Sequence, residues 1–188
     1  MAYALYCVIP FSKLNNSNRT IKDAAEIIGR SPAALKMKIC NLAALDPDFL
    51  ATGRVGLWGG ISKLDREIYE EFSKDWEGLS TKAESIVGLP LFDLAEPVYN
   101  GDPHRKKSYA EIADKQARKF FRKSVISAYE GRCCITGQSI PQMVIASHIK
   151  PYYVCDKSER ANPANGLLLN AFYDRAFDQG LMTVLPDL

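Results

Sequence analysis

One histidine and two aspartates in the C-terminal part of the chain have the types and spacing needed to hydrolyse a phosphodiester. His148 follows an apolar run at 143–146 that predicts a strand, and Asp174 and Asp178 lie four residues apart in a segment of helical periodicity. That spacing places both carboxylates on one helix face. A neutral imidazole can take a proton from water, and carboxylate oxygens suit a hard divalent cation.

The elements around these side chains are predicted to run strand, loop, strand, helix. Pro151 follows the histidine, and proline does not continue a central strand. Asn165 and Gly166 precede a second apolar run at 167–169, after which the period becomes helical. A last apolar run at 181–184 predicts a closing strand. Because the chain stops soon after that run, we expect a C-terminal piece to be missing.

Four short motifs occur in order along this stretch. They lie at 133–137 (CCITG), 148–151 (HIKP), 165–169 (NGLLL) and 174–180 (DRAFDQG). Together they resemble the HNH endonuclease motif, which adopts the ββα-metal fold. The resemblance implies a general base at His148 and an asparagine, Asn165, that braces the loop holding it. It also implies metal ligands at Asp174 and Asp178.

The stretch departs from the HNH pattern at two positions. Aspartate replaces the last histidine of the motif name, and Ser147 stands where many HNH enzymes carry an acidic residue or histidine. Two carboxylates and several waters would suit Mg²⁺, or Mn²⁺ in its place. The chain lacks the two CxxC pairs that hold zinc in many HNH proteins, so no structural zinc is expected.

The sequence pattern of the N-terminal part predicts two short helices joined by a turn. A helical period begins at Ile21, Gly29 ends it, and Ser31 followed by Pro32 predicts the start of a second, basic helix. This pattern fits a helix-turn-helix and an ordinary αα-hairpin about equally. As a helix-turn-helix it would bring to DNA the cations Arg30, Lys36 and Lys38.

The same N-terminal block resembles bacterial HNH proteins of the predicted restriction endonuclease type. The matching pieces lie at 28–32, 34–41, 45–47 and 62–72. This resemblance favours DNA reading by the N-terminal part. The glycine-rich run at 53–60 lacks the ending of a phosphate-binding loop, so it is interpreted as a flexible connector that touches DNA through Arg54.

A single long amphipathic helix is predicted at 62–78. Its apolar stripe, expected to face the core, is Leu64, Ile68, Phe72 and Trp76. Its acidic face, expected to face solvent, is Asp65, Glu67, Glu70, Glu71 and Asp75. The proline-rich run that follows predicts a linker at 88–106, between a helical domain at 1–87 and a nuclease domain at 107–188.

A basic helix is predicted at 108–129. Phe120 and Phe121 are expected in the core, and the helix carries four cations, Arg118, Lys119, Arg122 and Lys123. These would lie against the DNA backbone, which gives affinity without sequence choice; a solvent-facing basic helix is the alternative. Lys150 and Arg175 are expected to contact neighbouring phosphates.

Composition places the chain among ordinary globular proteins rather than strongly basic nucleic-acid binders. It has 188 residues, a net charge of +2 and five scattered cysteines. Neither a signal peptide nor an apolar run long enough to span a membrane is found, so a reduced cytoplasm is expected. The run at 3–11 fits a short strand or a helix stopped before Pro10.

The sequence therefore predicts an α+β protein, with a mostly helical N-terminal domain followed by an HNH ββα-metal domain. Its expected function is metal-dependent cleavage of double-stranded DNA in restriction or genome defence. One such site cuts one strand, so a double-strand break would need a homodimer or two successive nicks. The alternatives are a non-catalytic DNA-binding regulator that keeps the HNH fold and an interaction protein that presents its acidic helix.

Overall fold

Helices make up most of the chain. The structure, a computed structural model, describes residues 1–87 and 109–185, so the predicted linker at 88–106 lies outside the described residues. The first part contains α1 (Ala2–Val8), α2 (Arg19–Ile27), α3 (Pro32–Ala43), α4 (Pro47–Ala51), α5 (Lys63–Phe72) and α6 (Trp76–Val87). Within the described ranges, no helix combines the length and apolar character needed to cross a membrane.

The second described part combines helices with a small sheet. It contains α7 (Tyr109–Ala128), β1 (Val144–His148), α8 (Lys157–Arg160), β2 (Gly166–Asn170) and α9 (Ala171–Asp178). The two strands pair antiparallel. The prediction of a helical N-terminal part followed by a strand, loop, strand and helix is confirmed at this level. The run at 3–11, which fitted either a strand or a helix, belongs mostly to a helix, α1.

Side-chain caps set the bounds of α2 and α3. The Asn18 side chain accepts a hydrogen bond from the backbone N–H of Ile21, and Ser31 accepts one from the N–H of Ala34 at 3.2 Å. Between the helices Gly29 has φ +64°. This left-handed backbone conformation is higher in free energy for residues that carry a Cβ atom than for glycine. The predicted Ser31 cap and Gly29 turn are therefore confirmed, the Asn18 cap was not predicted, and the use of this unit in DNA reading stays a prediction.

The prediction of a single helix at 62–78 is wrong. Helix α5 ends at Phe72 and α6 begins at Trp76. Asp75 causes the new start, since its carboxylate accepts a hydrogen bond from the N–H of Gly78 at 2.9 Å, as an N-cap does. The bend changes which residues are buried: Ile68, Phe72 and Trp76 pack on the core, whereas Leu64 is 60% exposed.

Asp65 was predicted on the solvent-facing acidic side and is instead buried. Its carboxylate lies 2.8 Å from the Lys38 ammonium and also accepts from the backbone and side chain of Ser62. Burial alone would raise the pKa of Asp65, but the hydrogen bonds from Lys38 and Ser62 lower it below its ordinary value. This ion pair ties α5 to α3.

Helix α7 joins the core of the N-terminal part to the core around the sheet. Phe120 packs in a cluster with Tyr3, Leu42 and Leu79, while Phe121 packs in a cluster with Val144 and others around the hairpin. Both rings are 2% exposed or less, which confirms their predicted burial. Each contributes on the order of 2 kcal/mol through apolar surface removed from water.

The chain after α9 does not form the closing strand predicted at 181–184. Gly180 adopts φ +67°, and the N–H of Leu181 donates to the carbonyl of Ala176 at 2.9 Å. These features belong to a helix C-cap that turns the chain back over the last helical turn. Leu181 is 80% exposed as a result.

Candidate active site

Adjacent residues of β1 point to opposite faces of the hairpin. Ser147 is buried, and its hydroxyl donates to the Asp174 carboxylate on α9. His148 stacks its ring on Phe121 of α7, with ring centroids 3.6 Å apart and planes at 13°. Alternation along a strand has this effect. The strand thus directs its serine toward the helix that carries the aspartates and its histidine toward α7.

The contacts of His148 favour a neutral ring with a free lone pair. Its Nε2 lies 3.0 Å from the carbonyl oxygen of Arg160. A carbonyl only accepts, so Nε2 carries the proton and Nδ1 carries the lone pair. Burial lowers the pKa of His148, the bond to Arg160 opposes this shift, and the charge of Arg118 lowers the pKa further. A histidine in this state can accept a proton at neutral pH.

Gly166 allows the close approach that places Phe121 over the histidine. It pairs with His148 across the hairpin. A Cβ atom there would lie 2.4 Å from Cγ2 of Val125 and 2.9 Å from Cζ of Phe121. Both neighbours are buried on α7, so neither can move without disturbing the core. The glycine of the NG pair is therefore required by packing in addition to any turn.

We expect Gly166→Ala to lower the free energy of unfolding by about 1–3 kcal/mol, because an added methyl overpacks a rigid core. The matched control is Gly59→Ala, since a Cβ atom at Gly59 meets nothing within 4 Å. That change is expected to stay within about 0.5 kcal/mol of the parent. Urea unfolding measures both. Equal stability of the two variants would contradict the close packing at Gly166.

Asn165 spans the loop that follows the histidine. Its side-chain oxygen accepts from the N–H of Lys150 at 2.8 Å, and its amide donates to the carbonyl of Lys150 at 3.3 Å. The same amide donates to the sulfur of Cys155 at 3.2 Å, and the Cys155 thiol donates to the carbonyl of Lys150. These bonds fix the backbone two residues after His148. Cys155 was not predicted to take part, because its role depends on a fold of the 149–165 loop that spacing does not reveal.

The side chains at the predicted metal site offer oxygen atoms as ligands. Asp174 and Asp178 lie one turn apart on α9, and the Ser147 hydroxyl joins Asp174. Within 1–87 and 109–185, no group of three or more His, Cys, Asp or Glu side chains is assembled for a metal. Two carboxylates and a hydroxyl fit a hard cation such as Mg²⁺ that keeps several of its waters. Thiolate-binding metals prefer other ligands.

A comparison of the sequence with known protein families finds a match in this region. Residues 133–185 match the HNH endonuclease family. The matched residues, called the HNH segment below, include both strands, the loop between them and α9. No curated protein and no solved structure gives a significant match to the chain. The HNH segment therefore indicates a nuclease, and nucleases of this family generally use a divalent metal.

Several cations predicted to contact DNA have partners within the chain. In the HNH segment, Lys150 lies 2.5 Å from Glu159. Arg122 on α7 donates to the carbonyl of Val144 at 3.3 Å. Arg118 lies 3.1 Å from Asp114, and Lys38 belongs to the ion pair with Asp65 described above. Each of these contacts would have to rearrange or be shared if the cation also met a phosphate.

The other cations predicted to contact DNA, of which Lys119 and Lys123 also have contacts within the chain, lie at several places on the fold. Arg30 is exposed just before α3, and Lys36 is partly exposed within it. Arg175 is exposed on α9, directly after Asp174 of the HNH segment. Lys119 and Lys123 are partly exposed on α7. The structure thus distributes these side chains over both described parts.

Proposed function

We propose that the chain is a metal-dependent HNH DNA endonuclease of restriction or defence type, in which His148 is the general base. The observation that carries this proposal is the state of the imidazole at the end of β1. Its Nε2 is held by the Arg160 carbonyl and its ring by Phe121. The lone pair at Nδ1 is left to take a proton from the attacking water.

The loop braced by Asn165 supports this role for His148. A general base must be held within hydrogen-bond reach of the water it activates. The paired bonds from Asn165 to Lys150 limit movement of the backbone next to the histidine. Asn165 therefore acts as a positioning residue that does not itself transfer a proton.

Asp174 and Asp178 would hold the divalent ion, Mg²⁺ or Mn²⁺. When bound, such an ion neutralises charge that develops on the scissile phosphate and favours departure of the 3′ oxygen. The bond from Ser147 orients the Asp174 carboxylate from β1. The hairpin thus contacts one ligand through Ser147 on one face of β1 and holds the base, His148, on the opposite face.

Double-stranded DNA is the proposed substrate, and one face of α7 is proposed to contact its backbone. Lys119 and Lys123 are four residues apart on this helix, so they lie on one face of the same helix that carries Phe121. Contacts to phosphates would not depend on sequence. A second copy of the chain, in a homodimer, would supply a second site for the other strand; two successive nicks by one site are the alternative.

We expect changing Lys119 and Lys123 together to Ala to weaken binding to unrelated duplexes by similar factors. Loss of two phosphate contacts should lower the slope of log affinity against log salt by about two. The matched control is Lys63→Ala, whose side chain is 92% exposed and paired with Glu67. Fluorescence anisotropy at several salt concentrations measures both. An unchanged salt slope in the double variant would exclude this face from DNA contact.

Supercoiled plasmid incubated with the purified protein tests the proposed activity. Nicking or linearisation is expected with Mg²⁺ or Mn²⁺ and should stop on addition of EDTA. DNA binding without cleavage under any metal would instead favour the non-catalytic regulator. That alternative draws on Ser147, because a hydroxyl stands where many HNH enzymes place a stronger ligand. Metal titration then separates the two functions, since a regulator has no need to hold magnesium.

A further inference from the structure

The His148 ring lies in a slot with one wall on α7 and the other in the loop. Phe121 forms the first wall by face-to-face stacking at 3.6 Å. Tyr152 forms the second wall, with its ring centroid 5.4 Å from that of His148 and the planes at 79°. Edge-on and stacked arrangements are both favourable for aromatic rings. The imidazole is thus held from two sides in addition to its bond to Arg160.

Tyr152 is itself held by charged groups of α7. The Arg118 guanidinium lies 4.0 Å from the centroid of the Tyr152 ring. The Tyr152 hydroxyl donates to the Asp114 carboxylate, and Asp114 also accepts from Nε of Arg118. Because Asp114 and Arg118 are four residues apart, one face of α7 presents both. Tyr152 therefore has a ring contact and a hydroxyl contact to the same helix face.

The neighbours of Tyr152 do not share this environment. The three residues 152–154 form one short 3-10 turn. Tyr153 is 83% exposed and Val154 is 51% exposed, whereas Tyr152 is partly buried. The turn thus directs one of two adjacent tyrosines toward the histidine. This difference supplies a matched control at the next position.

We propose that Tyr152, locked by Asp114 and Arg118, is a positioning residue that closes the His148 ring against Phe121. The consequence for catalysis rests on the proposed nuclease function, whereas the consequence for the ring does not. Arg118 then acts through Tyr152 rather than as a simple phosphate contact. Loss of the second wall would let the imidazole leave its stacked rotamer, and small misplacements of a catalytic group cost about 100-fold in rate.

Proton NMR of the histidine ring tests the slot without any activity. The chain has only two histidines, His104 and His148, so His148→Ala assigns the signals. Stacking on Phe121 should shift the His148 ring protons upfield. We expect Tyr152→Ala to remove most of this shift, Tyr152→Phe to retain much of it through the ring contact, and Tyr153→Ala to leave it unchanged. Far-ultraviolet circular dichroism confirms that each variant is folded.

Single-turnover cleavage of a duplex tests the catalytic consequence. We expect Tyr152→Ala to lower the cleavage rate at saturation by about 10-fold to 100-fold, with less than about a twofold change in the half-saturating DNA concentration. Tyr152→Phe should recover most of that rate, and Tyr153→Ala should match the parent. A folded Tyr152→Ala variant with parental ring shifts and parental rate would overturn the proposal. Lost ring shifts in Tyr152→Ala, with no cleavage by the parent, would uphold the slot and reject the nuclease function.

Discussion

His148→Ala is expected to slow DNA cleavage by about 100-fold to 10,000-fold, the range that general acid–base catalysis contributes. The variant loses the Nδ1 lone pair that would receive the proton of water. The two proposed metal ligands lie on α9 and are untouched, as is the Asn165 brace. DNA affinity should therefore stay near that of the parent. Single-turnover cleavage of a labelled duplex measures the rate, and anisotropy measures the affinity.

The matched control for this change is His104→Ala, which removes the other histidine of the chain. It should cleave at the parental rate. Thermal unfolding separates loss of chemistry from loss of structure, because the His148 ring also packs on Phe121. A folded His148→Ala variant that cleaves at the parental rate would rule out this histidine as the base.

Asp174→Asn and Asp178→Asn are each expected to raise the metal concentration needed for half-maximal cleavage by at least about 10-fold. Even changes to residues that only support metal ligands cost about 10-fold to 100-fold in affinity. An amide keeps the shape of the side chain, and at position 174 it can still accept from Ser147. The loss would therefore come from charge rather than from packing.

The matched control for the two carboxylates is Asp23→Asn. Asp23 is an exposed aspartate on α2 that pairs with Arg19 at 3.7 Å. It shares the helical i, i+4 setting but lies in the N-terminal part. Titration with Mn²⁺ in the cleavage assay measures all three variants. A parental metal requirement in both α9 variants would place the metal elsewhere.

Local signals in the sequence predicted several helix ends, both strands and α9, because contacts between residues close in sequence determine these features. Ser31 caps α3 through a bond to a residue three positions away, and Gly29 takes the left-handed turn before it. The hairpin of the HNH segment follows from two apolar runs of strand length, and α9 follows from its helical period. Each of these features depends on residues within one or two turns.

Features that depend on tertiary contacts could not be predicted from the sequence. Asp65 has the periodicity of a solvent-facing acid, but its partner Lys38 lies 27 positions earlier. The Asp75 cap broke a period that looked continuous from 62 to 78. The assignment of Arg118 to DNA missed its contact with Tyr152, which lies in the loop between β1 and β2. Charge patterns identify ionic side chains without identifying their partners.

The candidate site shows the same division between local and distant information. Motif order predicted the histidine, the asparagine and the two aspartates, and their roles came from resemblance to a family. Phe121 was predicted as a core residue, and it is one, yet its stacking on His148 depends on the glycine at 166. The close approach of Phe121 to Gly166 joins α7 to β2 across 45 positions of sequence and has no periodic signature.

The pH dependence of single-turnover cleavage, measured for the parent and His148→Ala between about pH 5 and pH 8, tests the role of His148 most directly. Burial lowers the pKa of His148 from its ordinary value of 6.5, and only the neutral ring can act as base. The rate should therefore rise with pH through a midpoint below 6.5 and then level off. Residual cleavage by His148→Ala should lack this step. The same step and rate in both proteins would contradict His148 as the general base.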